Sequence, residues 1–188
     1  MKFDTGTELP DNFVLTKEFS DVYNLINDTN VNLFITGKAG SGKSTLLEYF
    51  RQNTNKNFVT LAFQGITAIK AKGQTLHSFF KFGPHFLAKE EIKLLKDKSL
   101  IQSLDTILID EISMVRADLF DAIDLSLKKN RKNNKPFGGV QMIVFGDVMQ
   151  IDPIVGSSDE EMMEKFYPKG RFFLIQTYMK KKNLNKLN

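Results

Sequence analysis

The chain has 188 residues, enough for one sizeable hydrophobic core but too few for two ordinary domains and a linker. Charged residues make up 26% and the net charge is +4, which argues against wholesale disorder. There is no cysteine, which excludes disulfides, thiol catalysis and cysteine zinc sites and fits an intracellular compartment; the two histidines are too few for a histidine-built metal site. No apolar run approaches the roughly 20 residues that a membrane-spanning helix needs, so no membrane partner is expected.

Hydrophobic periodicity predicts an α/β layered domain. Residues 1–30 form a polar lead-in segment with one short helix from Thr16 to about Asn27. Four short apolar runs then follow, mostly continuous rather than alternating, as is typical of strands buried on both faces of a parallel sheet: Leu33–Ile35, Phe58–Phe63, Ile107–Ile109 and Met142–Phe145. Amphipathic patterns predict helices between them, over Lys43–Arg51, Lys89–Lys98 and Val115–Lys129.

Two further segments complete the predicted organisation. Pro136–Gly139 is predicted to be the loop before the fourth strand, because glycine and proline interrupt regular structure. The α/β domain therefore covers residues 31–175, and the polar tail 176–188 is expected to fray.

The first strand is followed by a phosphate-binding motif. Residues 37–44, Gly-Lys-Ala-Gly-Ser-Gly-Lys-Ser, match G-x-x-x-x-G-K-[ST] in full, between an apolar strand and a helical pattern. The glycines allow backbone N–H groups to surround a phosphate chain, and the helix N-terminus adds partial positive charge. In this motif Lys43 reaches the β- and γ-phosphates and Ser44 ligates Mg²⁺. The predicted contacts to nucleotide are Gly37, Ala39, Gly40, Ser41, Gly42, Lys43 and Ser44.

Two acids follow the third predicted strand. In an open parallel sheet, ligands bind beyond the carboxyl ends of the strands, so Asp110 is expected to face the phosphates and hold Mg²⁺. Glu111 is placed to orient and deprotonate a water molecule. Acids also favour helix starts, so a helix cap is the alternative interpretation of this pair.

The fourth predicted strand also ends in polar residues. Gln150 follows it and is a candidate to contact the γ-phosphate or the attacking water. The same residues are compatible with a simple turn.

Taken together, these motifs resemble the petite-integration-frequency family of superfamily-1 DNA helicases, over about residues 15–173. The resemblance rests on residues 37–45, on Gln74–Phe80, on the segment Asp-Glu-Ile-Ser-Met-Val at 110–115, and on the Gly-Gly…Gly-Asp…Gln block of 138–150. It implies a RecA-like P-loop NTPase domain with three layers and a mainly parallel sheet, ATP and Mg²⁺ as cofactors, and 5′-to-3′ movement on single-stranded DNA with unwinding at duplex junctions. It also extends the nucleotide-binding segment to Thr45 and assigns Lys43, Asp110, Glu111 and Gln150 to catalysis.

The resemblance further implies DNA contacts after the second strand. Gln64, Gly65 and the following Ile66–Ala68 align with the first DNA-contacting motif. The family usually has Pro-Thr-Gly before the helix, and this chain has Phe-Gln-Gly at 63–65. His77 and Phe79 follow in a region expected near the DNA, where aromatic rings can stack on bases, although burial preference favours the core for Phe79. Phe19 stands where the family often has an adenine-reading glutamine, which leaves adenine selectivity open.

The length of the chain limits the expected activity. Family members clamp ATP between two RecA-like domains, and 188 residues supply only one, so a second motor domain is an expected partner. Two alternatives stay open from the residues alone: a non-catalytic module that binds nucleotide or DNA, and another P-loop enzyme such as a small-molecule kinase.

Overall fold

The computed structural model describes residues 9–10, 12–38, 40–147, 153–167 and 184–187. The strands are β1 (Asn32–Thr36), β2 (Phe58–Ala62), β3 (Gln74–Thr75), β4 (Thr106–Asp110), β5 (Gln141–Gly146) and β6 (Leu184–Leu187). The helices are α1 (Lys17–Asp28), α2 (Lys43–Asn53), α3 (Gly65–Lys70), α4 (Leu76–Phe80), α5 (Ser99–Ser103), α6 (Ala117–Arg131) and α7 (Glu160–Phe166). Short 3₁₀ turns cover Lys89–Glu91, Ile112–Met114 and Pro136–Gly139.

The described strands form one sheet in the order β3-β2-β4-β5-β1-β6, and every pairing is parallel. The carboxyl ends of β1, β2 and β4 therefore lie at the same edge of the sheet, where the phosphate loop, α3 and the acid pair follow them. The four apolar runs predicted to be strands are confirmed, with small changes at their ends.

Helices cover both faces of this sheet and give it the predicted three-layer architecture. On β1, Leu33 and Ile35 pack into a cluster with α1 and α2, whereas Phe34 between them packs into the opposite cluster with α4, α5 and α6. The alternation follows from the strand geometry, which sends successive side chains to opposite faces. Helix α1 belongs to the cluster that contains Leu33 and Ile35, because its Ile26 is fully buried there against the sheet.

The predicted helix over Lys89–Lys98 is wrong beyond its first turn. Only Lys89–Glu91 forms a 3₁₀ turn, and no regular element follows until α5. Polar side chains of α6 bind the backbone of this segment instead: the Leu95 N–H donates to Asn130 Oδ1 at 2.9 Å, and Lys129 Nζ donates to the Ile92 carbonyl at 2.8 Å. This segment, the strap (residues 92–98), lies across α6, and its backbone groups find partners outside a helix. Ile92 is buried there and Leu95 is half-buried, whereas Leu94 is 55% exposed.

Helix α6 begins at Ala117 rather than Val115, after a buried ionic cluster. Arg116 donates through Nε and Nη2 to the carboxylate of Asp118 at 2.9 and 2.7 Å, and through Nη1 to Asp159 at 2.9 Å. These contacts fix residues 116–118 against the segment that precedes α7.

The tail differs from the frayed segment that the sequence predicted. Leu184–Leu187 pair in parallel with β1, because the outer edge of that strand offers N–H and C=O groups that need partners. Residues 176–183 and 188 lie outside the described residues.

Candidate nucleotide and nucleic-acid site

The phosphate loop connects β1 to α2 and is shaped by glycine. Gly40 and Gly42 have φ values of +81° and +85°, in the left-handed region that side chains disfavour. A Cβ at either position would meet nothing within 4 Å, so backbone conformation and not crowding requires glycine here. Ala39 lies outside the described residues.

Lys43, the first residue of α2, turns its ammonium group onto the loop. Lys43 Nζ donates to the carbonyl of Gly37 at 2.5 Å and to that of Lys38 at 2.9 Å, and it reaches Ser41 Oγ at 3.4 Å. A positive charge is thereby held inside the curve of the loop. Ser44 and Thr45 occupy the first turn of α2, with Ser44 exposed.

Asp110 ends β4 at the same edge of the sheet. The pKa of its carboxyl is raised, mainly because the group is buried. The Glu111 backbone N–H, which donates to Asp110 Oδ1 at 2.9 Å, lowers this pKa. The Glu111 charge raises it further, and the Lys43 charge lowers it. The phosphate loop follows β1 and Asp110 ends β4, so the Lys43 ammonium group and the β4 acid lie at the same edge of the parallel sheet. The loop, the ammonium group, a first-turn hydroxyl and this carboxylate are the donor set that a Mg²⁺-bound triphosphate requires.

Glu111 has an unusual backbone and a distant partner. Its φ of 52° and ψ of 51° are left-handed, and Thr67 Oγ1 of α3 donates to its Oε2 at 2.8 Å. Sequence reasoning did not single out Thr67, although it lies two residues after Gly65 in the expected DNA-contacting motif. Gln150, the third predicted phosphate contact, lies outside the described residues.

The candidate DNA residues occupy two different environments. Gln64 and Gly65 are exposed at the start of α3. His77 is half-buried with its ring 5.6 Å from that of Phe63, and burial, together with the charge of Arg116, lowers its pKa, while Asp118 raises it. Phe79 is only 8% exposed and packs at 4.9 Å against Phe80 in the core. Its predicted stacking role is therefore corrected to a core role, because a buried ring offers no face to a base.

Phe19 lies in an aromatic cluster on the lead-in side of the fold. Its ring is 5.2 Å from that of Phe13 and 5.6 Å from that of Tyr49, a residue of α2. The ring packs α1 against the helix that carries Lys43.

A separate apolar cavity of about 870 Å³ lies beneath the strap, between α4 and α5. Its walls include Phe80, Phe82 and Ile92, and none of the phosphate-loop residues lines it. Among the described residues there is no cluster of three acids, histidines or cysteines able to hold a metal by themselves. Within the same residues no helix is long and apolar enough to cross a bilayer.

Comparison with known proteins agrees with this parallel P-loop architecture. Residues 14–171 match the family model of PIF1-like helicases. The chain is 35% identical over 163 residues to the ATP-dependent DNA helicase RRM3 of Saccharomyces cerevisiae, covering 81% of this chain and 22% of that protein. It is 39% identical over 152 residues to the ATP-dependent DNA helicase Pif1 of a Psychrobacter species, covering 73% of this chain and 22% of that protein.

Solved structures give the same assignment. Bacteroides Pif1 in complex with ADP-AlF3 and single-stranded DNA superposes with a TM-score of 0.81 at 37% identity, over 94% of this chain and 42% of that one. Pif1 helicase from Candida albicans superposes with a TM-score of 0.75 at 30% identity, over 93% and 39% of the two chains. The fold is thus a RecA-like helicase motor domain, and the chain belongs to the PIF1-like helicase family. It spans about a fifth of the length of the curated relatives described above.

Proposed function

We propose that this chain is the ATP-binding first motor domain of a 5′-to-3′ DNA helicase, which couples Mg²⁺-ATP hydrolysis to movement on single-stranded DNA and to unwinding at duplex junctions. The observation that carries the proposal is that the Lys43 ammonium group, held in its glycine loop after β1, and the Asp110 carboxylate at the end of β4 lie at one edge of the sheet. Membership of the PIF1-like family supports the choice of DNA helicase among P-loop enzymes.

Each residue of the phosphate-loop side has a defined task in this proposal. The loop N–H groups and the start of α2 bind the phosphate chain, and Lys43 exchanges its present carbonyl partners for the β- and γ-phosphates. Ser44 and Asp110 hold Mg²⁺, which neutralises charge on the transferring phosphate. A cation bound beside Asp110 would stabilise its charged carboxylate and so lower the pKa that burial raises.

Glu111 serves as the general base of the proposed reaction. Its carboxylate accepts a proton from water as the water attacks the γ-phosphate, a step that a phosphoryl-transfer kinase does not require. The Gln150 side chain is proposed to donate a hydrogen bond to the γ-phosphate or to this water, so that its contact depends on whether the γ-phosphate is present. These roles distinguish the proposal from the small-molecule kinase.

The nucleic-acid side is proposed to begin at α3. Gln64 and Gly65 are exposed there, close in the chain to Thr67, which binds Glu111. Contacts to the phosphate backbone by exposed groups carry no base preference, so binding should be independent of sequence and sensitive to salt.

The second motor domain is a proposed partner. In P-loop enzymes a supplied arginine raises the rate about 10³- to 10⁵-fold. Three arginines of this chain are engaged elsewhere: Arg51 donates to the Ala71 and Lys72 carbonyls, Arg116 binds Asp118 and Asp159, and Arg131 binds the Ile101 carbonyl. The 188-residue chain alone should therefore bind nucleotide, turn over slowly and unwind nothing.

The deciding experiment compares Mg²⁺-ATP binding by calorimetry in the wild-type chain and in Lys43→Ala. Lys43→Ala should lose useful affinity, because a charge opposite the phosphates is removed. Lys96→Ala, which removes the same charge from an exposed position on the strap, is the matched control and should bind as the wild type does. Equal affinity in Lys43→Ala and the wild type would contradict the assignment of the loop.

A second measurement separates the helicase from its alternatives. Phosphate release is followed with and without excess oligo-dT, and binding of labelled oligo-dT is followed by anisotropy at increasing salt. Slow hydrolysis that oligo-dT stimulates supports the proposal, whereas nucleotide binding without any hydrolysis indicates a non-catalytic module. Phosphate transfer to a small acceptor with no response to DNA indicates a kinase.

A further inference from the structure

The partner of Glu111 lies on the side of β4 that faces away from the phosphate loop. In the sheet, β4 has β2 on one side and β5, then β1, on the other. The phosphate loop follows β1, whereas α3, which carries Thr67, follows β2. The 2.8 Å hydrogen bond from Thr67 Oγ1 therefore draws the Glu111 carboxylate toward the β2 end and away from the loop.

The environment of the two residues makes this contact specific. Thr67 is 5% exposed, and its hydroxyl donates to a carboxylate, the class of hydrogen bond that contributes most to stability. Glu111 holds a left-handed backbone conformation, with φ at 52°, which costs a non-glycine residue about 1 kcal/mol or more. With the backbone of Glu111 in this one conformation, the position of its carboxylate is set by the side-chain rotamer. The hydrogen bond from Thr67 Oγ1 selects that rotamer.

Helix α3 also has an outer surface that is free to meet a ligand. Its inner residues Thr67 and Ala68 are buried, whereas Ile66 and Ile69 are 68% and 76% exposed. Gln64 and Gly65 precede them and are exposed as well. Because α3 is only six residues long, single-stranded DNA that contacts this outer surface contacts the element that carries Thr67.

We propose that Thr67 is a positioning residue that restrains Glu111 away from the attacking water, and that single-stranded DNA bound at α3 releases this restraint. The inference rests on the proposed function, in which Glu111 is the general base. It makes hydrolysis depend on the DNA strand through one hydroxyl group. ATP bound without DNA is then hydrolysed slowly because its base is held by Thr67.

The test uses two substitutions that differ in one group. Thr67→Val removes the hydroxyl and keeps the volume, whereas Thr67→Ser keeps the hydroxyl. Single-turnover phosphate release from ATP is measured with the 188-residue chain in excess, with and without oligo-dT. Thr67→Val should raise the DNA-free rate about tenfold, the order expected for loss of one hydrogen bond to a charged group, and should reduce the stimulation by DNA. Thr67→Ser should restore the wild-type stimulation.

Two further measurements separate a restraint from a structural effect. The double variant Thr67→Val/Glu111→Gln should lose the faster DNA-free rate, because the effect acts through Glu111. In the nucleotide-free chain labelled with ¹³C at glutamate carboxyls, Thr67→Val and addition of oligo-dT to the wild type should shift the Glu111 resonance in the same direction. The resonance is identified by its absence in Glu111→Gln.

Several outcomes would overturn the inference. Lower rates in Thr67→Val both with and without DNA would mean that the hydroxyl holds Glu111 in its productive position. A Glu111 resonance that does not respond to Thr67→Val would mean that the contact does not position the carboxylate. If the wild-type chain binds and hydrolyses ATP but Thr67→Val behaves identically, the inference alone fails; if the wild type does not bind ATP, the proposed function fails as well.

Discussion

The two strand ends that meet at the candidate site are built in opposite ways. The loop after β1 is defined by its backbone: Gly40 and Gly42 have positive φ, and nothing lies within 4 Å of where their Cβ atoms would be. The end of β4 is defined by packed side chains and hydrogen bonds, including that from Thr67 to Glu111. Beside it, a Cβ on Gly146 would lie 2.8 Å from Ile112 Cγ2. Backbone conformation therefore limits substitution at Gly40 and Gly42, whereas packing limits it at Gly146.

The largest effect is expected for Glu111, the proposed general base that follows β4. Glu111→Gln should keep nucleotide affinity but slow hydrolysis about 10²- to 10⁴-fold, because the amide preserves the shape and cannot accept a proton. Calorimetry and single-turnover phosphate release measure the two quantities, with Glu90→Gln at an exposed position as the control. If Glu111→Gln hydrolyses ATP at the wild-type rate, Glu111 is not the general base, and the helix-cap interpretation of this residue holds instead.

Gly146→Ala tests the packing of the β4 end. The added Cβ would press on Ile112, which is 1% exposed and has no room to turn away. Such overpacking costs about 1–3 kcal/mol, so the melting temperature should fall by roughly 3–10 °C. An unchanged melting temperature would show that this end adapts as easily as the loop.

Gly42→Ala is the counterpart in the loop. Alanine at a φ of +85° is strained by about 1–2 kcal/mol, but no neighbour clashes with it. The exposed loop should relax to another conformation, so nucleotide affinity should fall about tenfold while the melting temperature stays within a degree or two of wild type. A large fall in the melting temperature of Gly42→Ala would mean that packing, and not only backbone conformation, requires glycine in the phosphate loop.

The smallest expected effect concerns Asp110 in the nucleotide-free chain. Burial raises its pKa above the ordinary 3.8, so the charged form carries a penalty in the folded state at neutral pH. Asp110→Asn should therefore raise the melting temperature at pH 7, on the order of 2–4 °C if about 1 kcal/mol is relieved. The gain should shrink as the pH falls below the raised folded-state pKa and vanish well below 3.8, where the aspartate is protonated in both states. A lower melting temperature for Asp110→Asn at pH 7 would mean that the Glu111 N–H and Lys43 outweigh burial.

The same contrast explains how much was predictable from the sequence. The position of the glycine loop between β1 and α2 was predictable, because its conformation depends on glycines that lie close together in the chain. Thr67 was not predicted, because it is 44 residues from Glu111 and only the pairing of β2 with β4 brings the two together. A lone threonine in a short helix carries no local signal of such a contact.

The strap shows a second limit of local reasoning. Ile92, Leu94 and Leu95 have the spacing of an amphipathic helix, yet Asn130 and Lys129 of α6 take the backbone hydrogen bonds that a helix would use. Burial preference favoured the core for Phe79, but its place near the DNA-contacting motif also made it a candidate for base stacking, and its burial beside Phe80 decides for the core. In both cases a tertiary partner overrides a pattern that is satisfied equally well by another structure.

The pairing of β6 with β1 matters for anyone who shortens this protein. Leu184–Leu187 occupy the outer edge of the strand that runs into the phosphate loop. A version ending before residue 184 would leave the apolar run Leu33–Ile35 with unpaired N–H and C=O groups along that edge, a template on which a second copy can add a strand. Self-association in such a version would reflect strand exchange rather than a native assembly, and it would place a foreign segment beside the nucleotide loop. Expression boundaries for this domain should therefore extend past Leu187.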